Sequence, residues 1–417
     1  MPKANLKRIM DDIFFLRDIK NPLYPDGCTR HSYSLQDKIA REYIIKQCRD
    51  LDLDVTIDGV GNIRALYSGD GNVSNMSILV GSHIDTVTSG GAYDGVLGVI
   101  CGLETIRVIK ENHIHIKHPL ELIIFSEEEG SNFAGTMLGS KALIGKLTKE
   151  ELKETHNDDG KSAYEVIKDF GYDPESMQDH VIKPGQIKAM IEMHIEQGDS
   201  LDREGFEIGI VQAIAGQRTY KITLNGVSNH AGSTQMISRH DPLVGASQVI
   251  YALKQEAVNY EDKTAVATVG KIACYPNASN AIAEQVEFYV DIRDVNQKGI
   301  LDLSDTLKVL VDNTCMENGL TSKIDMIAQS PIVCLDDHIK DVLVQAAQRS
   351  ATSYKLTNSG AVHDSVMLTE ITKVGMLFVP SVDGLSHCPQ EFTKEKDIEK
   401  GCNILIDAVT DLANEEF

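Results

Sequence analysis

The chain has 417 residues, 42% of them hydrophobic, with no low-complexity run, which is the composition of a folded protein too long for one core; two domains are expected. Its 62 acidic residues against 40 lysines and arginines give a net charge of −22, which argues against nucleic acid and anionic membranes as partners. An anionic small molecule would therefore need positive charge supplied locally.

The N-terminal MPKANLKRIMDDIFF reads as an amphipathic helix whose acidic residues deny it the apolar core of a signal peptide. No run approaches the ~18 apolar residues of a membrane span. The eight cysteines are scattered without a CxxC pair and read as reduced thiols, so a cytoplasmic protein is expected.

Next, NMSILVGSHIDTV is an apolar strand ending in polar residues, the pattern of a buried α/β strand that delivers side chains at its carboxyl end. His83 sits at that end. Asp85, two residues on, is placed to receive the second ring N–H of the imidazole or to hold the local turn. Gly90, Gly91 and Gly95 permit a tight turn, and Val96 to Leu103 reads as a buried helix. Asp94, in GGAYDGVLGV, falls near that helix N-terminus, where an anion is stabilised. A carboxylate so placed after a histidine suits a ligand shared by two metal ions. Taken alone, the pair reads better as a helix cap and a strand-end histidine.

ELIIFSEEEGSNF repeats the design, with strand Leu122 to Phe125 followed by Glu127, Glu128 and Glu129. Adjacent carboxylates after a buried strand repel one another unless cations neutralise them, although a solvated loop face would tolerate the run. A charged helical region from Lys149 to Phe170 precedes MIEMHIEQGDSL, which places His194 and Gln197 at another strand end. FVPSVDGLSHCPQE does the same for His387, after strand Met376 to Val379. Two carboxylates, Asp94 and one from the glutamate run, with the three histidines His83, His194 and His387, form a ligand set for a borderline-soft divalent pair. Cys388 beside His387 reads better as a small pocket-wall residue than as a ligand.

The segment from about Gln212 to Gln329 has a different pattern. Strands are expected around Thr219 to Leu224, Ala265 to Ala273 and Gln285 to Ile292, with helices near Pro242 to Val258 and Lys298 to Glu317. That is an α+β sandwich, with helices on one face of an antiparallel sheet. α/β patterning resumes at Ile332, so residues 212–329 are an insertion between 1–211 and 330–417. Within it, NHAGSTQM delivers His230 in a Gly-rich turn, where by itself it reads better as a cap for a helix beginning near Met236. VEFYVDIRDVN places Val290 and Ile292 on one face and Asp291 and Arg293 on the other. Arg293 could pair with Asp291 or Asp294, or offer its fork to a substrate carboxylate. Arg218 is a further source of positive charge for an anionic substrate.

The chain resembles the carbamoylase branch of the dinuclear metallopeptidase and amidase superfamily. That branch includes N-carbamoyl-L-amino acid hydrolases, β-ureidopropionases and allantoate amidohydrolases. The motifs DGCTRHSYS, GSHIDTVTSGGAYDGVLGV, FSEEEGSNF, HIEQG, NHAGSTQM, DIRD, SGAVHDS and FVPSVDGLSHCPQE occur in the family's order over most of the chain. The resemblance implies a zinc-peptidase-like α/β catalytic domain, its mixed sheet flanked by helices, carrying an inserted lid and dimerisation domain. It implies a cleft between the two that closes on the substrate. One ion falls to His83, Asp94 and His194, the other to Asp94, Glu129 and His387. Zinc or manganese is expected, with cobalt and nickel also suited to the ligands. Glu128 is the expected proton carrier, because coordination by Glu129 fixes its neighbour beside the reacting water. His230 would polarise the oxygen of the tetrahedral intermediate, often from the partner subunit of a homodimer. Gln197, Asn280, Arg293 and Gly360 match substrate-contacting positions.

Peptidases of the superfamily usually carry an acidic residue where this chain has His194, so HIEQG favours an amidohydrolase acting on a carbamoyl or ureido C–N bond over an aminoacylase or dipeptidase. Departures from the family are Ala281, Ile282, Ala283 and Glu284 for Val-Ile-Pro-Gly, Val362 for a glycine, and Ser233 and Gln235 in NHAGTTPM. They spare every expected ligand. His363, beside Asp364, reads as a pocket-wall residue. N-carbamoyl-L-amino acids, allantoate and β-ureidopropionate all present a carboxylate and a ureido group, and the choice among them stays open at this level.

Overall fold

The structure is a computed structural model describing residues 2–69, 74–133, 135–261 and 263–415. The chain divides into two compact units, the second comprising Ala213–Cys334 and Asn358–Ala361 and the first the remaining described residues. Its strands are β1 (Asp54–Ile57), β2 (Ile63–Tyr67), β3 (Ser77–His83), β4 (Leu120–Phe125), β5 (Ile187–Ile195), β6 (Ile208–Ile214), β7 (Gly216–Asn225), β8 (Val266–Tyr275), β9 (Gln285–Asp294), β10 (Thr321–Ser330), β11 (Val333–Cys334), β12 (Tyr354–Ser359) and β13 (Lys373–Val379). The longer helices are α1 (Leu6–Arg17), α2 (Leu35–Asp50), α3 (Val96–Glu111), α4 (Pro242–Asn259), α5 (Gln297–Asn318), α6 (Asp337–Arg349) and α7 (Glu395–Asn414).

In the first unit β4, β3, β5 and β13 are consecutive and parallel, the antiparallel β2 and β1 extending one edge and β6 the other. β3, β4 and β5 are buried along their whole length, which is why their sequences are mainly apolar on both faces instead of alternating. Ile78, Val80, Leu122, Ile124, Ile191 and Met193 join the main core with α3 and α7. α3 is buried from Val96 to Ile109; its first two turns are apolar all round, and Glu104 and Arg107 are buried with ion-pair partners, Arg8 and Asp12. This is the mixed sheet flanked by helices that the sequence predicts. The charged region from Lys149 to Phe170 is two short helices, Lys149–Glu154 and Ala163–Phe170. Asn157 to Gly160 turn the chain between them, and Ser162 with Glu165 forms a capping box that restarts the helix.

The second unit is a four-stranded antiparallel sheet in the order β10-β7-β9-β8. β9 alternates strictly, with Val286, Phe288, Val290 and Ile292 packing against Val249 and Leu253 of α4 and Leu303, Leu307 and Val311 of α5. Asp241 caps α4 ahead of Pro242, and Asn296 caps α5. The helix anticipated near Met236 is a single 3-10 turn, Met236–Ser238; the α-helix waits for the Asp-Pro start. No described helix is long and apolar enough to cross a membrane.

Candidate active site

Each of the four parallel strands delivers site residues at or beyond its carboxyl end. His83 ends β3, opposite Phe125 of β4, so the Glu127–Glu129 turn begins beside it. His194 lies next to the end of β5, opposite Phe378 of β13, and His387 follows β13 after a 3-10 turn. Asp94 arrives on the loop before α3, two residues ahead of its first turn. Gly95 adopts φ 65°, and a Cβ there would lie 2.4 Å from the His83 ring, so only glycine lets Asp94 approach this closely.

The two oxygens of Asp94 face different partners. Oδ1 is 3.2 Å from His194 Nε2 and 3.6 Å from His83 Nε2, whereas Oδ2 is 3.3 Å from His387 Nε2. His387 Nε2 is also 3.5 Å from Glu129 Oε2. Ligand atoms of His83, Asp94 and His194 thus gather within 4.8 Å of one another, as do those of Asp94, Glu129 and His387. These are the two triplets implied by the sequence resemblance.

The donor set fits cations. His83 Nδ1 is 3.0 Å from the Asp85 carbonyl and His194 Nδ1 is 2.9 Å from the Ile195 carbonyl, so each Nδ1 carries its proton outward. Each Nε2 then turns a lone pair toward the Asp94 carboxylate, that of His194 also accepting the Gly95 amide at 3.3 Å, an arrangement suited to a proton or a metal ion between ring and carboxylate. Among the described ion pairs these carboxylates meet only histidines, never lysine or arginine. The titration behaviour follows. The hydrogen bond to Asp94 lifts His387 to about 9. Burial, then Asp94, push Glu129 up to about 7. Burial opposes ionisation of Asp94, yet His194, His387 and His83 outweigh it and hold the carboxyl well below the usual range.

Two other triplets, Glu192 with His194 and His363, and His83 with Glu128 and Glu129, are equally compact. Glu192 is already engaged: Oε1 accepts from Ser82 Oγ at 2.6 Å, and Oε2 accepts from the Ser365 hydroxyl and amide. It braces the strand carrying His194, and His363 stacks edge-on against the His194 ring at 4.6 Å. Period-two spacing places Glu192 on the face of His194 in a buried strand, a signal that the sequence reading passed over. Glu128 is 7% exposed, with Oε2 3.6 Å from His83 Nε2. Burial drives its carboxyl well above the usual range, opposed by His83 and reinforced by Glu129 and Asp364.

Asp85 works differently from the first of its two expected roles. The imidazole of His83 is met by the Asp85 backbone carbonyl, and the carboxylate stands 3.7 Å from Nδ1. Its oxygens instead accept the backbone amides of Glu128 at 3.3 Å and Glu129 at 3.1 Å, so Asp85 holds the turn that aims both glutamates. Gln197 Nε2 donates to Asp94 Oδ2 at 2.7 Å, leaving Oε1 buried without a hydrogen-bond partner. Ser386, absent from the sequence reading although it precedes His387, lies with Oγ 3.0 Å from the same Asp94 oxygen.

In the second unit the structure brings His230 and Asn280 together: the Ala231 amide donates to the Asn280 carbonyl at 3.0 Å and His230 bridges Ala281. His230 Nδ1 accepts from the amides of Gly232 and Ser233, which leaves the ring proton on the outward Nε2. Arg293 donates to both Asp291 oxygens and, through Nη1, to the Gly360 carbonyl at 2.8 Å. Asp294 turns the other way, toward Thr264. Arg218 is not brought to this face. It pairs in register with Ile292, on the helix-covered side of the sheet, beside Tyr220, Lys308 and Asp312.

The profile of Peptidase family M20/M25/M40 matches residues 79–411, a span that holds every member of both triplets. The chain belongs to this family. Members of the family are metal-dependent hydrolases, in keeping with the two ligand groups. The chain is 37% identical to an N-carbamoyl-L-amino-acid amidohydrolase of Pseudomonas sp. (strain NS671), over 92% of each chain. It is 34% identical to an allantoate amidohydrolase of Bacillus subtilis (strain 168), over 93% of each. Among solved structures, a hydantoinase/carbamoylase family amidase from Burkholderia multivorans superposes with a TM-score of 0.90 at 32% identity, covering 100% of this chain and 99% of that one. The family resemblance seen in the motifs is borne out. In such an enzyme Asp85→Asn would leave one glutamate amide facing an NH2 group; kcat should fall about 10- to 100-fold with KM little changed, measured by steady-state kinetics. Wild-type kcat in that variant would show that the glutamate turn holds itself.

Proposed function

We propose that this chain is a dinuclear metal-dependent amidohydrolase that cleaves the C–N bond of a carbamoyl or ureido group, with N-carbamoyl-L-amino acids as substrates. The observation carrying this reading is Asp94, whose two oxygens address separate ligand groups, with Glu128 beside them. The names of the relatives supply the substrate class. His83, Asp94 and His194 would hold one divalent ion and Asp94, Glu129 and His387 the other, zinc or manganese by the chemistry of the donors. Bound there, the ions would polarise the substrate carbonyl and lower the pKa of a bound water from about 15.7 toward about 7.

The rest falls to side chains. Glu128, buried and basic, takes the proton of the attacking water and passes it to the departing nitrogen. Gln197 Oε1, an acceptor without a partner, suits a ureido N–H, which a simple ester would lack. Arg293 offers its guanidinium to the substrate carboxylate, with Asn280 and Gly360 as further contacts, and His230 Nε2–H is a ready donor to the oxygen of the tetrahedral intermediate. For a terminal carbamoyl group, one water and one substrate yield the free amine, carbon dioxide and ammonia. We further propose a cytoplasmic homodimer in which His230 serves the partner's site. β8 is a sheet edge carrying exposed Val266 and Ile272, a surface suited to a second copy.

Protein loaded with manganese and, separately, zinc should release ammonia from N-carbamoyl-L-amino acids faster, by kcat/KM, than from allantoate or β-ureidopropionate. A preference for allantoate would move the substrate to that relative's chemistry. Hydrolysis of N-acyl amino acids or dipeptides alone would overturn the carbamoyl reading.

A further inference from the structure

Asp94 and His387 must keep a fixed separation if they are to share an ion, yet no strand pairing or helix sets it. Asp94 stands on a loop, and His387 follows an irregular turn and has φ 56° itself. Gln197 Nε2 touches both side chains, at 2.7 Å from Asp94 Oδ2 and 3.4 Å from His387 Nε2, but the link between the two backbone segments is Glu391. This side chain is only 5% exposed, and its Oε1 accepts the backbone amides of Tyr93 at 2.8 Å and Asp94 at 3.1 Å. Oε2 lies 3.0 Å from Ser386 Oγ, the hydroxyl that also stands 3.0 Å from Asp94 Oδ2. The loop bearing Asp94 passes so close over this carboxylate that a Cβ at Gly91 would come within 2.0 Å of Oε1. One buried side chain therefore grips the backbone of one ligand segment and, through Ser386, the residue next to the ligand of the other.

We propose that Glu391 is a positioning residue for the reaction: without touching substrate or ion, it sets Asp94 against His387 and so builds the site that Asp94, Glu129 and His387 share. The inference rests on the dinuclear reading above. It assigns the three acceptor contacts of Glu391 to spacing the ligands, where a merely structural role would make them part of general stability.

The test is titration of the metal-free full-length protein with Mn2+ alone, followed by calorimetry, alongside far-UV circular dichroism and thermal unfolding of the same metal-free samples. Glu391→Gln keeps an oxygen for the two amides and leaves Ser386 free to donate to Asp94; both Mn2+ affinities should stay within about 3-fold of wild type. Glu391→Ala should weaken the ion of the Asp94, Glu129 and His387 group about 10- to 100-fold, clearly more than it weakens the other, and lower the unfolding temperature of the metal-free protein by no more than a few degrees, the cost of the two amides left without their acceptor. Glu391→Asp, too short to span the amides and Ser386 together, should lose affinity at the same ion, and it decides the matter if the alanine variant does not fold. Both ions held at wild-type affinity in the alanine or aspartate variant overturn the proposal, as does an equal loss at both ions with a matching fall in unfolding temperature. Wild-type protein that takes up no Mn2+ would instead sink the dinuclear reading itself.

Discussion

Replacing Glu128 by Gln should lower kcat about 100- to 10,000-fold, the range a positioned general base contributes, while KM moves little. The substitution is nearly isosteric. It removes the basic oxygen without disturbing the backbone amide that Asp85 holds or the histidine 3.6 Å away. Metal content, measured by atomic spectrometry on the same sample, should match wild type, because the triplets that share Asp94 do not include Glu128. That combination separates the chemical step from site assembly. Burial raises this carboxyl, His83 opposes the rise, and Glu129, Asp364 and Asp85 add to it. Cations in the neighbouring triplets would favour its ionised form, which is the form a base requires. A glutamine variant that turns over at the wild-type rate with full metal content would remove Glu128 from the mechanism.

Much of this arrangement is legible in sequence because buried parallel strands announce themselves. SILVGSH, LELIIF and IKAMIEMHI are too apolar for a solvated face, and a polar residue at the end of such a run has few places to go but the carboxyl edge of the sheet. Adjacency of those strands is what brings His83, His194 and the glutamate turn together, and the order β4-β3-β5-β13 is a tertiary fact that no local pattern contains. β10 went unread for the opposite reason. TSKIDMIAQS is an edge strand largely exposed along its length, so neither alternation nor an apolar run marks it. The contacts of Asp85 were also hidden. A carboxylate two residues after a histidine is within reach of the ring, but the amides of Glu128 and Glu129 compete for it, and only the fold shows that they win. The two faces of β7 divide Arg218 from the Arg293 side, and strand parity against β9 makes the distinction.

Asp94→Asn should be the most damaging single substitution for metal binding, and its effect should differ in kind from loss of any other ligand. His387→Ala removes one nitrogen from the triplet completed by Glu129, and His83, Asp94 and His194 remain as the proposed ligands of the other ion. Asp94 belongs to both groups, with Oδ1 toward His83 and His194 and Oδ2 toward His387. An asparagine keeps one neutral oxygen and turns an NH2 group on the remaining partner, so at most one site can be filled, without the charge that offsets two cations. We expect stoichiometry by calorimetry to fall from two ions to one at most, and ammonia release to drop below detection. Stability supplies an independent reading. An ion that binds only the folded protein stabilises it by about 4.1 kcal/mol at 1,000 times its dissociation constant, so added Mn2+ should raise the unfolding temperature of wild type and of His387→Ala but scarcely that of Asp94→Asn. Were Asp94→Asn to bind two ions with wild-type affinity and show the full thermal shift, the shared carboxylate could not be what holds the pair, and the dinuclear site would have to be rebuilt from the remaining triplets.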